Sequence, residues 1–187
     1  LEWSCHFSLW PIVQHLQLGR QDYLETYDAM RRFTLKRTPD TEDEFWHVQH
    51  DPVYTLGRNA NPLHIIGKSD IPVVKTDRGG QVTYHGPGQL VTYPLLNLRC
   101  RKLGARKFVS LLEKCLIETL KQLKINASTK ANAPGVYVDN RKIASLGLRI
   151  THGFSYHGIC LNIDMDLTPF QAINPCGYQG LEMTQIS

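Results

Sequence analysis

The sequence predicts one α+β domain built on a β-sheet. Its 187 residues are a usual length for a single domain, and no internal repeat or low-complexity linker divides them. Two stretches carry apolar residues at helical spacing, and about seven shorter stretches are rich in strand-forming residues bounded by turns. We therefore expect one domain over residues 1–187, with two helices and about seven strands.

The amino-terminal half begins with a predicted helix. Apolar residues recur at helix-like steps over residues 12 to about 37, although Gly19 interrupts them, and Pro39 follows their end. Side-chain alternation and strand-forming composition then predict extended segments. These cover residues 44–50, 53–57 and 71–76, the last as a buried strand, with a turn-rich loop at 58–62.

The carboxy-terminal half contains the clearest helix, over residues 105 to about 124. Its predicted apolar stripe consists of Phe108, Leu112, Cys115, Leu116, Leu120 and Leu123. The strands predicted around this helix are 90–98 before it, then 135–138 and 142–150 as a hairpin, and 155–163. Residues from Asp164 onward are predicted to form loop.

Composition and charge argue against several classes of function. The formal net charge of +4 is spread over short basic clusters and forms no dense patch, which argues against nucleic-acid binding. No stretch approaches the ~18 apolar residues of a membrane span, and the first residues lack the pattern of a signal peptide. The chain does not begin with Met, so we expect a few residues to precede it.

The cysteines suggest the redox compartment. They are Cys5, Cys100, Cys115, Cys160 and Cys176. An odd number at wide spacing argues against a disulfide framework and favours a reducing, cytoplasmic location. The spacing contains no zinc motif. His47 and His50 lie three residues apart in a predicted strand, which places them on opposite faces and argues against a metal site there.

Two glycine motifs match nucleotide-binding signatures only in part. Gly67-Lys68-Ser69 matches the end of a phosphate-binding loop, yet Pro62 stands where that motif requires its first glycine. Gly86-Pro87-Gly88 does not extend to a dinucleotide fingerprint, because Val91 occupies the third glycine position. The sequence therefore predicts no nucleotide site.

The stretch Arg78–Gln89 concentrates four glycines, a proline, an arginine and a histidine within twelve residues. Glycine is needed where the backbone takes a positive φ or where a ligand approaches it closely. Apolar runs precede and follow the stretch, so we expect a shaped loop between two strands that contacts a ligand. A decorated hairpin turn is the alternative, although ordinary turns need only one or two such residues.

Cys176 differs from the other cysteines because it lies in a predicted loop, between Pro175 and Gly177. In a loop its sulfur could reach a ligand, and the N–H of Gly177 could stabilise an oxyanion. An incidental loop cysteine is the alternative. A nucleophilic thiol also needs a nearby cation or base to form the thiolate.

His85 and Lys142 are the candidates for that cation or base. His85 lies in the glycine-rich stretch, and a satisfied turn histidine is its alternative. Strand alternation allows Lys142 to point into a site while Arg141 faces water, although an isolated lysine is normally a surface charge.

Four segments closely resemble the signature of the lipoyl(octanoyl) transferases. They are Arg78-Gly79-Gly80-x-x-x-Tyr84-His85-Gly86-Pro87-Gly88-Gln89-x-x-x-Tyr93-Pro94, then Arg141 to Arg149, His157-Gly158-x-x-Leu161-Asn162 and Pro175-Cys176-Gly177. The resemblance runs from about residue 20 to the end of the chain, and its His-Gly-Pro-Gly-Gln element is highly specific. It implies the biotin/lipoate protein ligase-like (class II synthetase-like) fold, with a mixed or antiparallel sheet flanked by helices.

The resemblance also implies roles for single residues. Cys176 resembles the nucleophile that carries the acyl group as a thioester, and Lys142 resembles the lysine that lowers the pKa of that thiol. The implied walls of the acyl site are Arg78, Gly79, Gly80, Gln81, Val82, Thr83, Tyr84 and His85, then Ser145, Leu146 and Gly147, then Gly158, Ile159 and Cys160. Many members have alanine in place of Pro175, and this chain ends sooner after Cys176 than we expect, which suggests a shortened carboxy-terminal segment.

The implied activity is transfer of an octanoyl group from octanoyl-acyl carrier protein to a lysine of lipoyl domains. Those acceptors belong to 2-oxoacid dehydrogenases and the glycine cleavage H protein. A thioester donor is already activated, so no ATP, cofactor or metal is expected, and neither is a nucleic-acid or membrane partner. The alternatives are an ATP-dependent lipoate or biotin protein ligase of the same fold, a cysteine-dependent thioesterase, and a non-catalytic binding module.

Overall fold

The computed structural model describes residues 13–38 and 40–187, which form ten strands and two α-helices. The strands are β1 (Val13–Gln21), β2 (Asp43–His50), β3 (Val53–Leu56), β4 (Val73–Lys75), β5 (Val82–His85), β6 (Gln89–Leu95), β7 (Ser128–Lys130), β8 (Ala133–Val138), β9 (Arg141–Thr151) and β10 (Phe154–Asn162). The helices are α1 (Tyr23–Lys36) and α2 (Ala105–Gln122). Cys5 and Pro39 lie outside the described residues.

The strands form two sheets. Seven of them run in the order β1-β2-β6-β10-β9-β8-β7, and three run in the order β4-β3-β5. Every pair in the large sheet is antiparallel except β1–β2, and the small sheet joins one parallel to one antiparallel pair. The predicted α+β class, with a mixed and mainly antiparallel sheet, is therefore confirmed.

The two helices cover opposite faces of the large sheet. Cys160 on β10 packs in the core cluster that contains Met30 of α1. Its neighbour Leu161 packs instead with Leu116 and Leu120 of α2. Because successive side chains of a strand point to opposite faces, each helix has its own face of the sheet to cover.

The predicted helix over residues 12 to about 37 is wrong for residues 13–21, which form the edge strand β1. A bulge between Gln17 and Gly19 interrupts its pairing with β2, so its apolar residues do not alternate cleanly. The true helix start is marked by Asp22, whose carboxylate accepts a hydrogen bond of 2.9 Å from the Glu25 N–H. This aspartate is a standard N-cap, and it is the signal that the helical spacing concealed.

Three details of burial differ from the predictions. The buried strand predicted over residues 71–76 is shorter in the structure, where it forms β4, and its Val73 is 46 % exposed. On α2, Cys115 is exposed and Leu123 lies just beyond the helix and is exposed too, so the apolar stripe is narrower than predicted. The short strand β7 was not predicted.

The glycine-rich stretch is not wholly a loop. Its residues Val82–His85 form β5 of the small sheet, whereas β6 belongs to the large one. The stretch is therefore the passage between sheets, and the hairpin alternative is wrong. Gly88 makes this passage possible, because it has a φ of +83° and a Cβ there would lie 1.9 Å from the Asp164 carbonyl oxygen.

The hairpin between β8 and β9 is confirmed. Asp139 and Asn140 have φ values of 48° and 66°, the left-handed conformation of a tight two-residue hairpin turn. This turn sets the start of β9, on which Lys142 is the second residue.

The cysteine and histidine predictions have mixed outcomes. Cys115, Cys160 and Cys176 are free, but Cys100 is disulfide-bonded, so the expectation of reduced cysteines is wrong there. Within residues 13–38 and 40–187, no three His, Cys, Asp or Glu residues group as metal ligands. None of the described helices is long and apolar enough to cross a membrane.

Candidate active site

A cavity of about 480 Å³ lies between the small sheet and the large one. The predicted binding residues on its wall are Arg78, Gly79, Gly80, Gln81, Val82, Thr83, His85, Ser145, Leu146, Gly147, Gly158, Ile159 and Cys160. Cys176 and Lys142 line the same cavity. Residues from four distant parts of the chain are thus brought together, as the resemblance implies.

Tyr84 is the predicted wall residue that does not line the cavity. Its ring lies 5.6 Å from that of Tyr54 and 5.4 Å from that of Phe170, within a separate apolar cluster. The physical reason is strand alternation, because β5 turns His85 toward the cavity and the neighbouring Tyr84 away from it.

Cys176 lies in a 3₁₀ turn over Pro175–Gly177 and has a left-handed backbone, with φ 57° and ψ 14°. The preceding Asn174 donates its N–H to the carbonyl of His64 at 2.7 Å, which ties this turn to the rest of the fold. The N–H of Gly177 already donates to the Asn174 carbonyl at 2.9 Å. The expectation that this N–H stabilises an oxyanion is therefore wrong.

Lys142 is 1 % exposed and points into the site, as strand alternation predicted. Its Nζ lies 3.0 Å from the Sγ of Cys176 and 3.0 Å from the carbonyl oxygen of Pro134. It also lies 5.3 Å from the centre of the Tyr137 ring. The lysine nitrogen therefore has three partners that favour its charged form.

The pKa of Lys142 reflects two opposed effects. Burial lowers the pKa, but the charge and hydrogen bond of Cys176, with smaller help from Tyr137, outweigh it and raise the pKa above its usual value. The ammonium of Lys142 thus lies where its charge would stabilise a thiolate on Cys176.

The backbone of Lys142 is hydrogen-bonded to residues near the carboxy terminus. Its N–H donates to the carbonyl of Glu182 at 2.9 Å, and its carbonyl accepts from the N–H of Thr184 at 2.9 Å. On the other side, a Cβ at Gly135 would lie 2.6 Å from the Cε of Lys142. The lysine side chain thus packs against Gly135, where any larger residue would clash with it.

His85 is buried in the wall of the cavity. Its Nδ1 lies 2.7 Å from Gln89 Oε1 and its Nε2 lies 3.3 Å from Thr55 Oγ1. Burial, followed by repulsion from His50, lowers the pKa of His85 to about 3, so the ring is neutral near pH 7. Both ring nitrogens have partners other than Cys176, so Lys142 is the candidate whose side chain reaches the sulfur.

Arg78 closes the cavity over β9. Its guanidinium is buried and donates to the carbonyl of Thr55 at 2.7 Å and to the carbonyl of Gly79 at 3.0 Å. The N–H of Gly79 donates to the Leu148 carbonyl at 2.9 Å. A Cβ at Gly147 would lie 3.0 Å from the Cδ of Arg78, so this glycine allows the close approach.

The sequence reasoning missed a polar cluster on the same cavity. Asp77 accepts hydrogen bonds from His157 at 2.8 Å, from Tyr27 at 2.9 Å and from Tyr156. Burial alone would raise the pKa of Asp77, but these bonds, that from His157 foremost, hold it far below its usual value. Asp77 directly precedes Arg78, and His157 belongs to a matched motif, so proximity to both motifs was the available signal.

Aromatic residues at the inner end of the cavity were also missed as site residues. Tyr23 and Tyr93 both line it and are buried. Tyr93 lay in the matched glycine-rich signature, whereas Tyr23 lay in the segment predicted as one long helix. Only the position of Tyr23 at the true start of α1 places it against the cavity.

The sequence was compared with protein-family models and with known proteins. Residues 22–187 match the family model described as the lipoyl protein ligase A/B catalytic domain. An octanoyltransferase of Cellvibrio japonicus is 56 % identical over 179 residues, which are 96 % of this chain and 83 % of that protein.

Solved structures show the same fold. A crystal structure of lipoate-protein ligase A bound with ATP has a TM-score of 0.71 and 13 % identity, covering 86 % of this chain and 70 % of the other. Biotin protein ligase from Aquifex aeolicus has a TM-score of 0.54 and 14 % identity, covering 93 % and 59 %. The predicted biotin/lipoate protein ligase-like fold is therefore confirmed.

Proposed function

The chain belongs to the octanoyltransferases, within the lipoyl protein ligase A/B catalytic domain family, and we propose that it transfers octanoyl groups through a thioester on Cys176. The donor in this proposal is octanoyl-acyl carrier protein, and the acceptor is the ε-amine of a lysine on a lipoyl domain. The observation that carries the proposal is the 3.0 Å contact between Lys142 Nζ and Cys176 Sγ on the wall of the cavity.

The first step moves the acyl group to the enzyme. The Cys176 thiolate attacks the carbonyl carbon of the donor thioester, a new carbon–sulfur bond forms, and the bond to the carrier's sulfur breaks. The leaving sulfur takes a proton from the Lys142 ammonium. One thioester replaces another, so the exchange is close to neutral in free energy and needs no ATP.

The second step uses the lysine in its other form. Once Cys176 is acylated it carries no charge, so the effect that raised the pKa of Lys142 is removed and burial, which lowers it, remains. Lys142 then stays a neutral amine. It accepts the proton of the acceptor lysine as that amine attacks the thioester, and Cys176 leaves as the thiolate.

The cavity supports an apolar acyl group. The Arg78–Gly80 loop can cover β9 because Gly147 has no Cβ, and a Cβ at Gly158 would lie 1.9 Å from the Thr92 carbonyl oxygen of the neighbouring β6. The cover also excludes water from the thioester, which would limit loss of the acyl group to hydrolysis. These walls are the ones the motif resemblance implies, Tyr84 excepted.

Partners and location follow from the same proposal. Acyl carrier protein is acidic, and the net charge of +4 supports steering of such a donor. The acceptors we propose are the lipoyl domains of 2-oxoacid dehydrogenases and the glycine cleavage H protein. A cytoplasmic location and a single catalytic domain over residues 1–187 belong to this proposal, as does the absence of a cofactor.

The main alternative is an ATP-dependent lipoate or biotin protein ligase, since those enzymes share the fold. Such a ligase activates the free acid with ATP and needs no nucleophilic cysteine. A thioesterase would use the same cysteine but release free octanoate.

One experiment separates the three activities. The protein is incubated without ATP with octanoyl-acyl carrier protein and an apo lipoyl domain, and the mass of the lipoyl domain is measured. We expect a gain of one octanoyl group on the domain. Modification only with free octanoate and ATP would establish a ligase, and free octanoate with an unmodified domain would establish a thioesterase.

A further inference from the structure

Part of the cavity follows a single row of side chains across three strands. Ser145 on β9 is paired with Cys160 on β10, and Cys160 is paired with Val91 on β6. All three line the cavity. The next member of the row, Val48 on β2, is packed in the core with residues of α1.

The length of this row can be compared with that of an acyl chain. Two steps between neighbouring strands, from β9 to β6, span about 10 Å. A fully extended octanoyl chain, with carbon–carbon bonds of about 1.5 Å, reaches about 9 Å from its carbonyl carbon. Ser145, where this row begins, lies three residues along β9 from Lys142. An acyl chain whose carbonyl carbon lies beside Ser145, and which follows this row, therefore ends at β6.

Buried rings close the cavity at that end. Tyr23, at the start of α1, stacks on His85 with ring centres 5.6 Å apart and meets the ring of His50 edge-on at 5.0 Å. The hydroxyl of Tyr93 lies 2.7 Å from the Nε2 of His50, whose Nδ1 contacts the Gln21 carbonyl oxygen. The rings of this end wall pack on each other and His50 is hydrogen-bonded through both nitrogens, so a longer apolar chain would have to displace these rings.

We infer that Tyr23 sets the longest acyl chain that the site accepts. The inference rests on the proposed function and adds to it the determinant of substrate length. Tyr23 is the member of the end wall supplied by a helix rather than by either sheet. Truncation of His85 or Tyr93 would remove a buried hydrogen bond to Gln89 or to His50, so Tyr23 is the ring of this wall chosen for shortening.

The test compares Tyr23→Leu with Tyr27→Leu. Tyr27 lies one helical turn further along α1, is buried in the same cluster and does not line the cavity. Each variant is incubated with octanoyl, decanoyl and dodecanoyl carrier protein, and the rate of single acylation is followed by intact mass. For Tyr23→Leu we expect the decanoyl-to-octanoyl rate ratio to rise by about tenfold or more, the change of one to two methylenes in an apolar pocket. For Tyr27→Leu we expect the wild-type ratio.

A second variant tests the opposite direction. Val91→Phe places a ring on the last position of the row, so hexanoyl should become a better donor than octanoyl. Folding of Tyr23→Leu is judged by near-ultraviolet circular dichroism. If that variant does not fold, Val91→Phe alone tests the inference. Tyr23→Phe keeps the ring and should keep the wild-type ratio.

The outcomes separate this inference from the function. Wild-type protein that is acylated by octanoyl donor, with the same length profile in Tyr23→Leu and Val91→Phe, overturns the role of Tyr23 alone. Wild-type protein that no acyl donor modifies overturns the proposed function itself.

Discussion

In the proposed mechanism Lys142 has two roles, and both depend on the same environment. The same burial that hides its nitrogen from water would discharge it, and the Cys176 sulfur at 3.0 Å prevents this while it is a thiolate. The charge state of the lysine therefore follows the acylation state of the cysteine. This coupling lets one residue act as acid in the first step and as base in the second.

Lys142→Ala should slow acylation of Cys176 by about 10²-fold or more near pH 7. Because the pKa of Lys142 is raised, the wild-type side chain remains a cation throughout the neutral range. In the variant the thiolate must form without that cation, so the rate should recover as pH rises past about 8.5, where an ordinary thiol ionises. The measurement is the acylation rate between pH 6 and 9.5. An equal loss at every pH would mean that Lys142 only positions the substrate.

Lys142→Arg is the matched control for the two roles. Arginine keeps the positive charge but does not release its proton. We expect this variant to retain more acylation than Lys142→Ala and to accumulate the acyl-enzyme when the acceptor is added. Normal discharge by the acceptor would rule out Lys142 as the base of the second step.

At this scale the sequence predicted the reactive pair but not its surroundings. The loop position made Cys176 a candidate, strand alternation allowed Lys142 to point into a site, and the motif resemblance implied their roles. Asp77 could not be found this way, because its partners Tyr27, Tyr156 and His157 converge only through the fold. The Gly177 N–H was misjudged because its acceptor, the Asn174 carbonyl, is a matter of local turn geometry.

At the scale of elements, the position of Lys142 depends on how β8 and β9 meet. A two-residue turn joins them, a bulge between Val136 and Tyr137 shifts their register, and residues 182–184 bind Lys142 on the side of β9 opposite β8. Gly135 is the position on β8 where the Lys142 side chain leaves no room for a Cβ atom. It combines a φ of +138° with a close approach to the Lys142 side chain.

Gly135→Ala should therefore displace the lysine and reduce acylation. A shift of about 1 Å at a reacting group costs about 10²-fold in rate. The control is Gly180→Ala, whose φ of +72° also strains an alanine backbone, though less than +138° does, and whose Cβ would meet nothing within 4 Å. Both variants are compared by urea unfolding and by octanoylation rate. Equal losses of rate in the two would show that strain alone, without contact with Lys142, explains the effect.

Some helices and strands were predicted correctly and others were missed, and the difference depends on how much of the signal is local in the sequence. The hairpin over β8 and β9 followed from its turn residues, and α2 followed from its apolar stripe. The strand β1 was missed because its bulge at Gln17 and Gly19 spoils the alternation and leaves spacing that also fits a helix. The passage of the glycine-rich stretch from the small sheet to the large one required knowledge of strand partners that no local pattern contains.

At the scale of the whole molecule, the cavity lies between the two sheets that the glycine-rich stretch connects. The small sheet contributes β5 to one wall, the large sheet contributes β6, β9 and β10 to the other, and α1 closes the inner end. The α+β class was predictable from the element count. The cavity was not, because it is formed by side chains far apart in the sequence.

The central claim is that octanoyl groups pass through a thioester on Cys176. The most direct test is the intact mass of the protein after incubation with octanoyl-acyl carrier protein and no acceptor. We predict a gain of one octanoyl group that is absent in Cys176→Ser, present in Cys115→Ser, whose cysteine is free and exposed, and removed when an apo lipoyl domain is added. Wild-type protein that octanoylates the lipoyl domain while Cys176→Ser does so at the same rate would contradict the account.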